Sequence, residues 1–326
     1  MTSIHVITGA TSGLGLAIAR RLASKPGGRM IAGARRPESA TELKRTAKAD
    51  RIEVLALDTS SLASVRNFVS QVRANIGSDR IASVICVAGL QPLGPRRTTA
   101  DGFDEVFATN VLGHIALVDG LLDRLAPNAA VITIGSGTHD PSNKLAARAG
   151  FMGADFTDAK AAAAGRSSRR DRDEREQALD RYATSKLCAI YHATAAATEK
   201  SFADARFYCF DPGLMPGTSL AREQNASVQF VWKRLMPVLR HFVEGVSSPE
   251  ISARLIVDDL VPGDTRYRSG SHIEFTGKVA PASQQANDLA AAKRFLEDAR
   301  ALLAHPPRRS PPGRSNQKGS TLPIAT

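Results

Sequence analysis

The chain has 326 residues, of which 43% are hydrophobic, and it carries a formal net charge of +11 at pH 7. This apolar content is ample for one large core, and no internal repeat indicates a solenoid. The positive charges are spread over predicted helix faces without a nucleic-acid-binding motif, which favours a solvated surface over nucleic-acid binding. The three cysteines, Cys86, Cys188 and Cys209, lie within apolar patterns and not at metal-ligand spacing, so we expect buried free thiols and no metal site.

A glycine-rich turn joins the first predicted strand to the first predicted helix. Strand residues 4–7 run into Thr8-Gly9-Ala10-Thr11-Ser12-Gly13-Leu14-Gly15, after which apolar residues recur at helical spacing. Glycines let the backbone turn tightly and approach a pyrophosphate, so the turn predicts a dinucleotide site, with a plain strand-to-helix loop as the alternative. The Gly-x-x-x-Gly-x-Gly spacing, led by Thr8, resembles that of the short-chain dehydrogenase/reductase family.

The resemblance implies a fold and a first set of cofactor contacts. The implied fold is an α/β Rossmann-type doubly wound parallel sheet with helices on both faces. We expect helices over residues 62–76, 111–125, 182–200 and 283–303. Six residues of the turn match the family positions that hold the dinucleotide: Gly9, Thr11, Ser12, Gly13, Leu14 and Gly15.

The end of the second predicted strand bears on the choice of cofactor. Residues 30–34 run into Arg35-Arg36, and no acidic residue stands at that end. An Asp or Glu there would bind the ribose 2′-hydroxyl and repel a 2′-phosphate, whereas two guanidiniums offer forked donors to that phosphate. The pair therefore predicts NADP(H), with a solvated arginine pair at a helix start as the alternative.

The next two strands and the helix that follows them carry further residues that match family motifs. Asp58, after the third strand, matches the acidic residue that contacts the adenine. The chain reads Cys86-Val87-Ala88-Gly89 where the family has Asn-Asn-Ala-Gly, so only Ala88 and Gly89 match that motif. Asn110 matches the residue that holds a water in the proton relay and also counts among the cofactor contacts. His114, one turn later, is expected in the core or behind the site rather than as a catalyst.

Ser136, Tyr182 and Lys186 complete the Asn-Ser-Tyr-Lys tetrad that the resemblance implies. Ser136 follows a buried strand and matches the serine that hydrogen-bonds the substrate oxygen, with a turn-forming serine as the alternative. Tyr182 and Lys186 lie four residues apart on one helix face and also count among the cofactor contacts. A tyrosine titrates at about pH 10, and an adjacent ammonium would stabilise its phenolate. An amphipathic face with a snorkelling lysine is the alternative.

An insertion over about residues 140–181 separates Ser136 from Tyr182. Its stretch 161–176 is of low complexity, with mixed charge and no buried face in its pattern. Because both ends adjoin catalytic residues, we predict a mobile flap over the active-site mouth, with an inert surface loop as the alternative.

The C-terminal third supplies the last cofactor contacts and the substrate region. Pro212 and Gly213 follow a strand, where the family's Pro-Gly lies beside the nicotinamide. Residues 219–245 come next, with an apolar stripe at helical spacing and several basic residues. They predict a lid closing on an apolar substrate, with core packing or a subunit contact in a homo-oligomer as the alternative. A peripheral membrane contact of the basic residues stays open.

The boundaries and the location follow from composition. Strands and helices alternate without a break, so we predict one domain over residues 1–305 and a disordered basic tail over 306–326. No leader precedes the first strand and no apolar run reaches membrane-spanning length, which together with the free thiols predicts a cytoplasmic protein.

The pattern is most similar to the branch with protochlorophyllide reductases and retinol-dehydrogenase-like enzymes. It implies an enzyme that transfers hydride between NADP(H) and a carbonyl or alcohol of an apolar small molecule. A protochlorophyllide-type double-bond reductase is one alternative, although Leu214 stands where those enzymes carry a cysteine. A non-catalytic NADP-binding regulator is the other, although a regulator has no need of all four tetrad residues.

Overall fold

In the computed structural model, the described residues are 3–46, 51–202, 204–215, 245–280 and 283–307. They contain one seven-stranded sheet in the order β3-β2-β1-β4-β5-β6-β7, and every neighbouring pair of strands is parallel. The predicted Rossmann-type sheet is thereby confirmed. The strands are β1 (Ser3–Thr8), β2 (Gly28–Ala34), β3 (Ile52–Ala56), β4 (Ile81–Cys86), β5 (Leu125–Ile134), β6 (Arg206–Asp211) and β7 (Ser271–Glu274).

Helices cover both faces of the sheet. The α-helices are α1 (Gly13–Ser24), α2 (Thr41–Lys44), α3 (Leu62–Ile76), α4 (Glu105–Phe107), α5 (Gly113–Leu121), α6 (Lys144–Arg148), α7 (Ala159–Ala163), α8 (Glu174–Ala196), α9 (Pro249–Leu255) and α10 (Leu289–Ala304). Turns of π-helix precede α5 (Ala108–Leu112) and follow α9 (Ile256–Leu260), and 3₁₀ turns cover Pro37–Ser39, Leu122–Arg124, Gly137–His139 and Lys200–Phe202.

Strand alternation divides the interior into two cores. Val84 and Val131 face one side, where α3, α5, α8 and α10 pack, whereas Ile85 and Ile132 face the other, where α1 and α9 pack. Successive strand side chains point to opposite faces, so a strand that is apolar throughout is buried on both. Each such side chain contributes about 1.5–3 kcal/mol when fully buried. The central strands are therefore the rigid support from which the site residues project.

The helix that carries Tyr182 begins earlier than the predicted residue 182. Its N-cap is Asp173, whose carboxylate accepts from the Glu176 amide at 2.8 Å, while the Glu176 side chain accepts from the Asp173 amide at 3.1 Å. This reciprocal pair satisfies two amides that would otherwise lack partners, and it sets the start of α8 at Glu174. Of the other predicted helices, 62–76 is confirmed, 111–125 is shorter as α5, and 283–303 starts later, at Leu289.

The insertion is folded, so the prediction of a stretch with no buried face is wrong. Ala162 and Ala163 of α7 are buried, and α7 packs against α8 and α10. Asp180, which is 2% exposed, forms ion pairs with Arg169 at 2.7 Å and with Arg172 at 3.3 Å. Short alanine helices and ion pairs leave no periodic pattern, which is why the sequence suggested a flap. The structure shows this segment packed against α8, the helix that carries Tyr182.

One helical run corrects the expectation that no apolar run reaches membrane-spanning length. Glu105–Arg124 has 20 residues, and an 18-residue window within it has a mean hydropathy of 1.3, so the run is long and apolar enough to cross a membrane by length and composition. Of its most apolar window, 72% is buried inside the protein, as in the core helix of a globular domain. The predicted lid, apart from its last residue, and the tail from residue 308 onward lie outside the described residues.

Candidate active site

The glycine turn lies at the carboxyl end of β1, where the strand order reverses between β1 and β4. Ligands of open parallel sheets bind in the crevice at such a point. A Cβ atom on Gly9 would lie 2.7 Å from the amide nitrogen of Ala88, and one on Gly15 would lie 2.1 Å from the Gly9 oxygen. Glycine at both positions therefore lets β1, β4 and α1 approach one another closely.

The N-terminus of α1 opens from this turn. Ser12 is the N-cap residue with an extended backbone, and among the described residues no side chain caps the helix there. Thr11 and Ser12 are exposed, whereas Leu14 is buried against the sheet. Free amides and the positive end of the helix dipole both favour an anion, so the turn suits a pyrophosphate.

Two exposed arginines stand at the end of β2. Within the described part of the chain, neither the Arg35 nor the Arg36 guanidinium has an ion pair or a hydrogen bond, and both side chains are exposed. Asp58, after β3, is half-buried, and its Oδ1 accepts from the Ser60 amide at 2.9 Å and from the Ser60 hydroxyl at 2.7 Å. The strand ends thus present two available cations and one carboxylate that is already partly engaged.

Ser136, Tyr182 and Lys186 come together at the end of β5. Tyr182 is 7% exposed, and the Ser136 side chain lies near enough to its phenol to act on the pKa of that group. The Lys186 ammonium donates to the Ile134 carbonyl at 3.0 Å and lies 5.2 Å from the centroid of the Tyr182 ring. The four-residue spacing places both side chains of α8 against one strand, as the sequence predicts.

The pKa values of Tyr182 and Lys186 are both shifted in the direction that favours the neutral side chain. Burial raises the pKa of Tyr182, Asp211 raises it further, and the Ser136 side chain opposes both. Burial lowers the pKa of Lys186 to about 8. The expected lowering of the Tyr182 pKa by Lys186 is not seen, because the ammonium binds the Ile134 carbonyl and faces the ring. Tyr182 therefore keeps its proton at neutral pH.

Asn110 lies in the π-helical turn before α5 and connects two parts of the site. Its Oδ1 accepts from the Leu90 amide at 2.9 Å, and its Nδ2 donates to the Leu90 carbonyl at 3.1 Å and to the Ser185 hydroxyl at 3.0 Å. It therefore reaches α8 through Ser185, next to Lys186. Ala88 and Gly89, just before Leu90, are held beside it.

Asp211 is a site residue that sequence reasoning missed. It precedes Pro212-Gly213, and its Oδ1 accepts from the Gly213 amide at 2.8 Å. Burial raises its pKa, and its charge acts on the pKa of Tyr182 and of Lys186. An acidic residue directly before the Pro-Gly pair was the sequence signal, but only the pairing of β5 with β6 brings it to the tyrosine.

Two buried histidines lie behind Ser136. His139 Nδ1 donates to the Ser136 carbonyl at 2.8 Å, and its ring meets that of His272 edge-on at 5.5 Å. The other nitrogen of His139 and both nitrogens of His272 have no partner in the described part of the protein. Burial lowers the pKa of His272 to about 3, so that ring is neutral at neutral pH.

Comparisons with known proteins agree with this arrangement. A family model described as short chain dehydrogenase matches residues 3–149. Human polyprenol dehydrogenase is 32% identical over 145 residues, covering 42% of this chain and 43% of that protein. The alignment with the first relatives therefore spans less than half of their length. Protochlorophyllide reductase B from Oryza sativa subsp. japonica is 29% identical over 321 residues, covering 90% of this chain and 75% of that protein.

A solved structure extends the likeness of fold to nearly the whole chain. It is an uncharacterized protein from Mycobacterium paratuberculosis, which aligns with a TM-score of 0.63 at 24% sequence identity and covers 93% of both chains. At that identity the likeness concerns the fold. Residues 3–149 thus match the short chain dehydrogenase family model, the sheet order and the glycine turn agree with that match, and the chain is similar over 90% of its length to a protochlorophyllide reductase.

Proposed function

We propose that the protein is an NADP(H)-dependent oxidoreductase that transfers hydride between the nicotinamide and a carbonyl or alcohol of an apolar small molecule. The observation that carries this proposal is the meeting of Ser136, Tyr182 and Lys186 at the end of β5, on the same sheet edge as the glycine turn. A hydroxyl donor, a buried phenol and an ammonium beside a dinucleotide crevice are the groups that carbonyl reduction needs.

The four tetrad residues divide the work at the substrate oxygen. A bound nicotinamide would supply hydride to the carbonyl carbon, or accept it in the reverse direction. Ser136 hydrogen-bonds the carbonyl oxygen, and Tyr182, which keeps its proton at neutral pH, protonates that oxygen as the negative charge develops. Lys186 binds the nicotinamide ribose, and Asn110 links the proton path to water. A raised pKa on the phenol suits the reducing direction.

The cofactor preference rests on the end of β2. Arg35 and Arg36 are exposed and have no partner among the described residues, so both guanidiniums are free to bind a 2′-phosphate.

The apolar substrate class is supported by the relatives. One relative is named for polyprenol, which is a long apolar alcohol, and another is named for protochlorophyllide, which is a pigment. A double-bond reductase is the second candidate, because the protochlorophyllide reductase aligns over 90% of this chain. Leu214 argues against it, since it stands where the resemblance places a cysteine.

The deciding experiment follows NADPH oxidation by the purified chain against a panel of apolar ketones, aldehydes, enones and protochlorophyllide, in darkness and in light. We expect turnover of ketones or aldehydes in the dark, with NADPH preferred to NADH. Light-dependent turnover of the pigment alone would establish the second candidate. NADPH binding without turnover of any substrate would support a regulator and contradict the enzyme proposal.

A further inference from the structure

His114 is buried between the cofactor turn and Asn110. It lies on α5, is 3% exposed, and makes one hydrogen bond from each ring nitrogen. Nε2 is 3.0 Å from the Thr8 hydroxyl, and Nδ1 is 3.2 Å from the Asn110 carbonyl oxygen. Thr8 is 106 residues away in sequence and is the last residue of β1, directly before Gly9.

The partners fix where the imidazole proton resides. A carbonyl oxygen can only accept, so Nδ1 carries the proton and donates to Asn110. Nε2 then has a lone pair and accepts from the Thr8 hydroxyl, whose oxygen in turn accepts from the Ala88 amide at 3.0 Å. Burial lowers the pKa of His114 to about 4, so the ring is neutral at neutral pH. All three hydrogen bonds, from Ala88 to Thr8, from Thr8 to His114 and from His114 to Asn110, are therefore donated in the direction of Asn110.

From Asn110 the hydrogen bonds continue to α8. The Asn110 amide donates to the Ser185 hydroxyl, which itself donates to the Tyr182 carbonyl at 2.7 Å. Hydrogen bonds thus join the glycine turn at β1 to the main-chain carbonyl of Asn110 through the ring of His114, and a second run joins the side chain of Asn110 to the backbone of Tyr182 through Ser185. The two runs meet at Asn110. The two ring nitrogens of His114 therefore connect the glycine turn, through Thr8, with Asn110.

We propose that His114 is a positioning residue that fixes Asn110, and through it α8, relative to the glycine turn. The inference rests on the proposed function, since it concerns the geometry of hydride transfer. Displacements of about 1 Å far from the reacting atoms can lower a rate by 10²-fold. A neutral, doubly hydrogen-bonded ring in a buried position limits such displacement more tightly than apolar packing alone.

Three variants remove the two hydrogen bonds of the ring singly or together. His114→Asn keeps a donor where Nδ1 stands and loses the bond to Thr8. His114→Gln places an amide where Nε2 stands and loses the bond to Asn110. His114→Phe keeps the ring and loses both bonds. Because both hydrogen bonds are needed to join Asn110 to the glycine turn, we expect kcat to fall roughly ten-fold or more for all three variants, with less than about three-fold change in the carbonyl KM.

The matched control is His192→Phe. His192 is 1% exposed on α8, and its ring meets that of Phe207 at 6.3 Å, outside the network. We expect its kcat to stay within about two-fold of the parent while thermal melting reports the folded state of every variant. A loss of kcat in His192→Phe equal to that in His114→Phe, or a kcat within about three-fold of the parent in the Asn or the Gln variant, would overturn the proposal.

Cofactor affinity gives a second readout that needs no turnover. NADPH fluorescence titration should show weaker NADPH binding in His114→Phe and in Thr8→Val. The double variant should bind NADPH as well as the single variant with the lower affinity does, because both substitutions remove the same hydrogen bond. If the parent turns over no substrate, the proposed function fails while this cycle still tests His114. Additive losses in the cycle, or unchanged affinity in His114→Phe, would contradict the positioning role.

Discussion

At the scale of single residues, Tyr182 combines a raised pKa with a contact to Ser136. Tyr182→Phe removes the transferable proton, while the ring can still pack against Phe151, whose centroid is 6.0 Å away. We expect turnover to fall by about 10²–10⁴-fold, the usual contribution of a general acid, with NADPH affinity nearly unchanged. Steady-state rates and fluorescence titration measure the two effects. Residual activity within ten-fold of the parent would exclude this phenol as the acid.

Lys186 is a cation whose burial destabilises the fold. Its folded pKa of about 8 lies below its ordinary value of 10.5, so the penalty is complete below about pH 8 and disappears as the pH rises toward 10.5. Lys186→Met should therefore raise the free energy of unfolding at pH 7 by about 1–3 kcal/mol while abolishing turnover. Urea unfolding at neutral and at alkaline pH measures this. A variant less stable than the parent at pH 7, or a gap that widens at alkaline pH, would refute the assignment.

At the scale of elements, we expect the end of β2 to select between the two nicotinamide cofactors. Arg35→Asp removes one phosphate partner and adds a repulsive carboxylate. A charge-assisted hydrogen bond is worth about 1.5–3 kcal/mol, so the ratio of kcat/KM for NADPH over NADH should fall about ten-fold or more. Arg66→Asp, an exposed residue of α3, carries the same charge change and should leave the ratio unaltered. Equal KM values for both cofactors in the parent would remove the basis for the prediction.

The insertion depends on Asp180 of α8, which neutralises Arg169 and Arg172 two residues before Tyr182. Asp180→Asn removes the ion pair of Arg169 and leaves Arg172 paired with the more distant Glu176 at 3.9 Å, which should lower the free energy of unfolding by about 3 kcal/mol. Limited trypsin digestion should also become faster between residues 161 and 176. The control is Glu42→Gln, which breaks an exposed pair with Arg20 and should cost less than about 1 kcal/mol. Equal effects in the two variants would show that the insertion does not depend on this carboxylate.

At the scale of the whole molecule, the sequence predicts what local pattern encodes. Glycine spacing, apolar strand runs and the four-residue step from Tyr182 to Lys186 are short-range features, and together they predict the sheet, the turn and the helix that carries both residues. The insertion was misjudged because its stability comes from buried alanines and from ion pairs to Asp180. The Asp173 and Glu176 capping box was present in the sequence as Asp-x-x-Glu, but it was obscured by the surrounding charges.

Long-range contacts in the site could not be predicted in the same way. The Thr8 to His114 hydrogen bond spans 106 residues, and Asp211 reaches the tyrosine only because β6 pairs with β5. No periodicity relates such positions, because the sheet order that joins them is set by the packing of the whole domain. The sequence therefore predicts which residues stand at strand ends, and the fold decides which strand ends are neighbours.

The three buried cysteines have a practical consequence for labelling chemistry. Cys86, Cys188 and Cys209 are all free and buried, as predicted, and burial raises the thiol pKa to about 12 at Cys86 and Cys209 and well above the ordinary value at Cys188. Alkylating reagents attack the thiolate, so the native chain offers them almost nothing at neutral pH. A cysteine introduced at the half-buried Leu214, beside Pro212-Gly213, would then be the one reactive thiol. A fluorophore attached there would lie next to the expected nicotinamide pocket. None of the native cysteines would have to be removed first.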